Sequence, residues 1–459
     1  MKFTTIKIKN FTKIFFGVFS LTVCFILIPS ALFSGEVDGN NRAANITPLI
    51  KNTTCMLAYV NLDQINVDEF FNKNLNDIDK TIKKIGFDPN SEKRIINESL
   101  RLLKNIKSEF KIQLDNLKNA TKIKDAYFII QSNQFNKLKS SIKFSITFAI
   151  PADKRSAEDR NNLRQWINEL GENLNGAAEQ HINVNNVNAN KINLLSWAFG
   201  QYSGFDVVVA EFDCFLPNMN GAEHSAPVVV PAEEEISPAD ELIDGDELAA
   251  REKNWINNFF NVNSKDVAGL IAEAFDKHEK NAPVQIIFTN MKNIKDAIDY
   301  VLPKSIDGGE NLDDQLKKQI KQLPIIETAN KFILKVKDAV NNFAKSKWTS
   351  IILNPKSMKF ECAIQMENEA DAKIFLESLI EMNDVYCDFI IVEPFKDMEK
   401  KKSRFQPFLS AVIKRVYRSN VPLRNGDRLE LKQQDNEFHK FLCAEYCIVG
   451  YILLIVFNR

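Results

Sequence analysis

Residues 347–366, KWTSIILNPKSMKFECAIQM, decide the fold class of this chain. The stretch opens with an apolar run, passes through the turn sequence Asn354-Pro355-Lys356-Ser357, and then alternates apolar and polar side chains. Alternation with a period of two places every second residue on the same face of a strand. The stretch therefore predicts a pair of antiparallel strands. The inward positions of the second strand are Met358, Phe360, Cys362, Ile364 and Met366.

Helical patterns flank this strand pair, and the same order of elements occurs earlier in the chain. Apolar residues recur at steps of three or four in segments 326–343 and 369–381, which is typical of helices with one buried face. The expected elements of the earlier part are strands 55–60, 125–131 and 143–150 with helices 96–117 and 158–178; those of the later part begin with strand 284–289 and helix 291–302. The sequence thus predicts an α+β fold of two similar halves, each with a mostly antiparallel or mixed sheet packed against long amphipathic helices.

Composition changes along the chain set the expected domain boundaries. The expected units are a signal peptide or N-terminal anchor (1–34), a polar spacer (35–53), a first α+β domain (54–216), an acidic linker or loop (217–253), a second α+β domain (254–440) and an apolar C-terminal segment (441–459). Residues 217–250 hold four prolines and nine acidic residues but no Lys or Arg, which is typical of a solvated linker. The apolar tail carries one charge, Glu445. Three interpretations fit it: a buried strand or helix, a segment that contacts the membrane, or a sequence altered by a shifted reading frame.

The N-terminus has the charge order of an export signal. Lys2, Lys7, Lys9 and Lys13 precede any acidic residue, and residues 14–35 carry no charge. Small residues before Gly35 favour cleavage there, whereas the length of the apolar run also fits an anchor that is retained. We therefore expect an exported protein of the periplasm or cell envelope, with membrane association through residues 15–33 if they are not removed.

Charge and motif content narrow the function classes. The formal net charge is −1, from 59 basic and 60 acidic residues, so no global field attracts nucleic acid. Sequence motifs for serine hydrolases, zinc proteases, phosphate-binding loops and dinucleotide binding do not occur. No catalytic, cofactor-binding or metal-binding residue is therefore assigned. The expectation is that no cofactor is used.

Residues with metal or redox chemistry are scattered. His181, His224, His278 and His439 have no ligand-type neighbour at a metal-site spacing, and segment 240–251 departs from a calcium loop at Leu242 and Arg251. Removal of the leader would leave six of the seven cysteines, namely Cys55, Cys214, Cys362, Cys387, Cys443 and Cys447. Several lie in apolar strand patterns, and we interpret these as buried thiols that act as small hydrophobic residues.

Segments 57–63, 283–302, 348–375 and 421–431 together resemble a group of uncharacterised exported proteins from planctomycetes and related bacteria. The shared features are a leader, an opening strand followed by Asn61-Leu62-Asp63, and a strand pair followed by a helix containing Ala370 and Ala372. Segment 421–431 is similar to the closing strand of those proteins. Since that group has no assigned activity, the resemblance implies export and fold organisation and no site residue.

These observations favour a non-enzymatic binding or scaffolding module of the cell envelope, acting on an envelope protein or ligand that the sequence does not identify. One alternative is a secreted hydrolase whose acidic residues converge only in the fold. The other is a membrane-tethered envelope assembly factor that keeps its apolar ends.

Overall fold

The structure, a computed structural model, describes about half of the chain. The described residues are 42–61, 125–132, 136, 141–152, 156–165, 192–215, 245–261, 264–276, 282–292, 324–354, 359–391 and 421–433, with isolated positions 68, 108, 111, 112, 115, 295, 296 and 299. The leader, the apolar tail, the four histidines and most of the predicted helix 96–117 lie outside this part.

Ten strands and five named helices make up the described fold. The strands are β1 (Thr54–Asn61), β2 (Asp125–Ser132), β3 (Ser141–Pro151), β4 (Ile192–Tyr202), β5 (Phe205–Phe215), β6 (Val284–Thr289), β7 (Ser346–Asn354), β8 (Lys359–Met366), β9 (Leu423–Asn425) and β10 (Arg428–Gln433). The helices are α1 (Arg42–Ile46), α2 (Gly245–Phe259), α3 (Lys265–Asp276), α4 (Pro324–Phe343) and α5 (Glu369–Ile391). A 3₁₀ turn lies at Thr47–Leu49, and residues 157–165 are also helical; we refer to them as helix 157–165.

All ten strands join one antiparallel sheet in the order β4-β5-β3-β2-β1-β6-β7-β8-β10-β9. At its centre β1 pairs with β6, with Ala58 opposite Ile286. The α+β class is therefore correct. The expectation of a separate sheet in each half is corrected, because hydrogen bonds between β1 and β6 join the strands before and after segment 217–253 into one sheet.

Most strand predictions are confirmed, because their apolar patterns are local. Strand β6 has the predicted bounds, and β1, β2, β3, β7 and β8 differ from prediction by a few residues at most. Strands β4 and β5 were not predicted. They form a hairpin whose turn consists of Ser203 and Gly204. Both residues have positive φ (48° and 83°), which is typical of a tight two-residue turn. The predicted closing strand is a hairpin, β9–β10, turning at Gly426 (φ 61°).

One face of the sheet, here called the front face, carries the larger described core. Leu57, Tyr59 and Ile287 point to this face and pack with residues from α1, the 3₁₀ turn, α2 and α3. Ile46, Leu49 and Ile50 are fully buried in the same core. The prediction of a polar spacer at 35–53 is therefore wrong for residues 42–50, because three apolar side chains in that short stretch find a site on the front face.

The opposite face, here called the back face, is covered in the second half by α4 and α5. Phe343 and Phe375 pack there with Ile364, Met366 and Leu429. This confirms the inward positions predicted for Ile364 and Met366.

The predicted linker (217–253) extends too far, because helix α2 begins at Gly245. Gly245, Asp246 and Glu247 of the weak calcium-like segment form the first turn of that helix.

Candidate functional site

A row of polar side chains crosses the front face of the first five strands. Gln131 on β2 lies opposite Ser145 on β3, Ser145 lies opposite Glu211 on β5, and Glu211 lies opposite Ser196 on β4. Residues directly opposite each other share a face of the sheet. Two hydrogen bonds run along the row: Ser145 Oγ donates to Gln131 Oε1 (3.2 Å), and Ser196 Oγ donates to Glu211 Oε2 (3.2 Å). We call these four residues the polar row.

Lys51 is held beside one end of the polar row by the start of β1. Its backbone N–H donates to Thr54 Oγ1 (3.0 Å), and the Thr54 N–H donates to the Lys51 carbonyl oxygen (3.1 Å). Thr54 in turn lies opposite Gln131. A bulge between Thr54 and Met56 interrupts the regular pairing of β1 with β2 at this point.

Aromatic rings from the end of α2 form a wall against the Lys51 side chain. Its Nζ atom lies 3.2 Å from the centroid of the Phe259 ring and 5.7 Å from that of Phe260. Trp255 stacks on Phe259 with centroids 5.4 Å apart, and Tyr202 stacks on Phe260 at 4.8 Å. The Tyr202 hydroxyl donates to the Phe260 carbonyl oxygen (3.3 Å), which fixes the end of the helix against the β4–β5 hairpin.

The Lys51 ammonium group is partly desolvated and has no close anionic partner among the described residues. Burial lowers the pKa of Lys51 to about 8, and the negative charge of Glu211 opposes part of that shift. Within the part of the chain that the structure describes, Nζ contacts aromatic rings but has neither a hydrogen-bond acceptor nor a carboxylate within ion-pair distance. A charge held in this way destabilises the fold relative to a solvated lysine.

A second unsatisfied donor, Gln131 Nε2, lies in the polar row itself. The Gln131 side chain is 4% exposed, and its Nε2 atom has no acceptor among the described residues. A buried donor that loses its water partner costs about 1–3 kcal/mol. The Lys51 site, defined as Lys51, the polar row and the aromatic wall of Trp255, Phe259 and Phe260, therefore combines two unfilled donors with one carboxylate, Glu211.

Three cysteines whose side chains the structure describes pack within the fold and have low reactivity. Cys55, Cys214 and Cys362 are free thiols. Burial raises the pKa of Cys55 and that of Cys362 to about 12, and burial together with Asp213 raises the pKa of Cys214. Because the thiolate is the nucleophile, these three residues are poor candidates for covalent chemistry at neutral pH. The Cys55 thiol donates to the Ile130 carbonyl oxygen (3.3 Å), which fits the predicted packing role.

No cluster of three His, Cys, Asp or Glu side chains within the described ranges is placed to hold a metal ion. None of the helices in those ranges combines the length and the apolar character needed to cross a bilayer.

Comparison with protein-family models, with curated proteins and with solved structures gives no match to this chain. The candidate site therefore rests on its own geometry. Sequence reasoning missed it, because Lys51 lies in a segment interpreted as a spacer and β4 and β5, which supply Ser196 and Glu211, were not predicted.

Proposed function

We propose that this protein is an exported, non-enzymatic binding module of the cell envelope that holds a small ligand at the Lys51 site. The ligand carries one acidic group beside an apolar ring. The observation that supports this most directly is the half-buried Lys51 ammonium, which lies against an aromatic ring and not against a carboxylate. Folding alone does not favour that arrangement, since the cation–π contact contributes only about 0.5–2 kcal/mol against the desolvation of a charge.

The chemistry of the ligand follows from the groups that lack partners. Lys51 Nζ and Gln131 Nε2 are both donors, so the matching group on a ligand is an acceptor, and the positive charge of Lys51 favours an anion. Phe259 and Trp255 offer stacked aromatic surface to an apolar ring. The Glu211 carboxylate disfavours a second negative charge. A monovalent arylcarboxylate meets all three conditions.

The test measures binding of 3-phenylpropionate to the mature protein by calorimetry at pH 6.5. The expected result is saturable binding that Lys51→Met weakens at least about tenfold, which corresponds to about 1.4 kcal/mol. Lys143→Met, which removes an exposed lysine from β3, serves as the matched control and should leave the affinity unchanged. The uncharged analogue 3-phenylpropionamide should bind weakly to all three proteins.

The pH dependence of binding has a defined sign. Lys51 is charged below its pKa of about 8, so the affinity for the carboxylate should be greatest below pH 8 and fall as the pH rises through that value. Glu211→Gln should strengthen binding, because it removes a negative charge from the site. Equal affinities for wild type and Lys51→Met across this pH range would rule out the Lys51 site as the binding site.

A second candidate function is an enzyme, and the pKa of Lys51 is the observation in its favour. An amine with a pKa of about 8 is partly neutral at pH 7.5–8 and can act as a base or nucleophile. The secreted hydrolase considered from the sequence is tested with 4-nitrophenyl acetate. Turnover by wild type that Lys51→Met abolishes, with Lys143→Met unaffected, would establish this candidate over a binding module.

Export is the part of the proposal that rests on the leader. Sequencing the mature N-terminus from fractionated cells should find a start near Gly35 in the soluble periplasmic or extracellular fraction. Residues 15–33 recovered in the membrane fraction would instead support the tethered assembly factor. The resemblance to exported proteins of planctomycetes and related bacteria is a second, weaker support for this location.

We also propose that the two halves of the fold are related to each other. Outward from the central β1–β6 pair, both sides of the sheet have their first, second, third, fifth and fourth strands in that order. In both halves a helix follows the third strand, namely helix 157–165 after β3 and α5 after β8. The shared topology supports a duplicated unit, although no site residue is shared between the halves.

A further inference from the structure

The two edge strands of the sheet differ in how well they are protected against pairing with another strand. At one edge, β9 has three residues, all of them exposed, and one of these is Arg424. At the other edge, β4 has eleven residues and carries no charge. Short length and charged side chains are common ways in which an edge strand avoids pairing. Of these two protections β9 has both and β4 has neither.

Large apolar side chains are exposed on β4. The exposed fraction is 51% for Leu195 and 41% for Trp197. Trp197 lies opposite Ala210 and therefore points to the back face, since its neighbours Ser196 and Ala198 point to the front face. Within the described part of the chain, β4 pairs with β5 alone. An exposed tryptophan beside an open strand edge is stabilised when a second surface covers it.

Two helices hold β4 in place. On the front face α2 packs so closely that a Cβ atom at Gly200 would lie 2.8 Å from Ile256 Cδ1, which leaves room only for glycine. Arg164 of helix 157–165 places its guanidinium carbon 6.0 Å from the Phe199 ring centroid and pairs with Glu252 of α2 (2.8 Å). The strand is therefore ordered before it meets a partner, which lowers the entropy lost on association.

We propose that β4 is the contact surface for a second copy of this chain, and that the two copies pair antiparallel into one continuous sheet. A two-fold axis perpendicular to the sheet keeps the front faces of both copies on the same side. The bulge at Leu195 limits regular pairing to residues 196–202, whose midpoint is Phe199. Pairing about that midpoint places Trp197 opposite the partner's Gln201 on the back face.

The lack of charge on β4 favours a second copy over a charged peptide as the partner. Two copies paired about a two-fold axis bring the same sequence against itself, so charged residues of one sign on β4 would repel each other. A charged peptide would find no opposite charge on β4, whereas two copies make every contact twice. Seven paired residues a side are fewer than the about 20–30 of a standard interface, so we expect a dissociation constant in the micromolar range.

The test is sedimentation velocity of the mature protein at concentrations from about 1 to 100 µM. The expected result is a reversible shift from monomer to dimer. Trp197→Lys should weaken dimerisation at least about tenfold, because it removes the apolar contact and brings two new positive charges close together. Leu195→Lys, beside the paired residues, should weaken it less. Circular dichroism confirms that each variant is folded.

Leu334→Lys is the matched control, since Leu334 is an exposed apolar residue of α4 (54%) and lies away from the sheet edge. It should leave the dissociation constant unchanged. A monomer at every concentration would overturn the proposal, and so would an equal loss of dimer in Leu334→Lys and Trp197→Lys.

Hydrogen exchange separates strand pairing from association through another surface. About half of the N–H groups of an edge strand point away from the sheet, and they exchange rapidly unless another strand accepts their hydrogen bonds. Peptides from β4 should therefore gain protection as the protein concentration rises, and peptides from the β9–β10 hairpin should not. In Trp197→Lys the gain at β4 should disappear. A dimer in which β4 exchanges as fast as in the monomer would reject pairing through this strand.

Discussion

Two groups of polar side chains on the front face differ in how their hydrogen bonds are met. In the group around Gln285, which is 1% exposed, the amide Nε2 donates both to the Ala274 carbonyl oxygen (3.1 Å) and to Ser350 Oγ (2.9 Å). At the Lys51 site, Lys51 Nζ and Gln131 Nε2 lack acceptors among the described residues. Both groups lie under helices of the same layer, so burial alone does not distinguish them.

The difference separates groups that hold the fold together from groups that are open to a ligand. The Gln285 side chain ties α3 to β6 and β7, and all its donors are in use, so its role is complete within the chain. The Lys51 site holds donors at a free-energy cost that the described residues do not offset. Proteins keep such groups where function needs them, at some loss of stability.

The largest expected effect is on the alkylation rates of the buried thiols, which belong to the groups that hold the fold together. With its pKa raised to about 12, Cys55 should react with iodoacetamide at pH 8 at least about a thousandfold more slowly in the native protein than in urea. Cys362 should behave in the same way. Mass spectrometry of the labelled peptides reads each site separately. Rapid native labelling of Cys55 would show that the start of β1 beside Lys51 is open.

The next largest effect is expected on the free energy of unfolding when Gln285 is replaced. Gln285→Ala removes two hydrogen bonds and leaves the Ala274 carbonyl and the Ser350 hydroxyl without their donor in a fully buried place, so the free energy of unfolding should fall by about 3 kcal/mol. Gln131→Ala, a matched change on the same face, should cost clearly less, because the Gln131 Nε2 amide has no acceptor to lose. Urea unfolding measures both. Equal losses would remove the distinction between satisfied and open groups.

The smallest effect is the contribution of Lys51 to stability against pH. Its pKa is about 8 in the folded state and near 10.5 when unfolded, so between these values the unfolded chain binds more protons and stability should rise with pH. After allowance for partial solvent screening, the gain should be about 1 kcal/mol. Lys51→Met should be the more stable protein at pH 7 and lose that advantage by pH 10.5. A difference that does not change with pH would contradict the desolvated state of Lys51.

Local pattern was enough to predict most of the sheet. The alternation in residues 358–366 and the compact apolar runs at 55–60 and 284–289 are properties of short segments, and the strands formed there within a few residues of the predicted bounds. The β4–β5 hairpin was missed. The sequence of β4, INLLSWAFGQY, lacks charges and strict alternation, so the period-two signal was weak there.

The candidate site could not be predicted, because it depends on contacts between distant segments. Lys51 is one of many lysines in the sequence, and its lowered pKa arises from the end of α2, some two hundred residues further along the chain. Gln131 and Trp348 are ordinary strand residues until the neighbouring strands show that their donors lack acceptors. No motif marks any of these residues.

The sequence by itself determined the α+β class, the positions of most strands and of helices α4 and α5, and the N-terminal charge pattern from which an export leader is expected. Each of these depends on the order of apolar and charged residues within a short window, and that order is written in the chain. The tertiary structure alone decided that the strands join in one sheet through β1 and β6, and which polar groups are left without partners. Those outcomes depend on which distant segments meet, and burial and pairing act only after they have met.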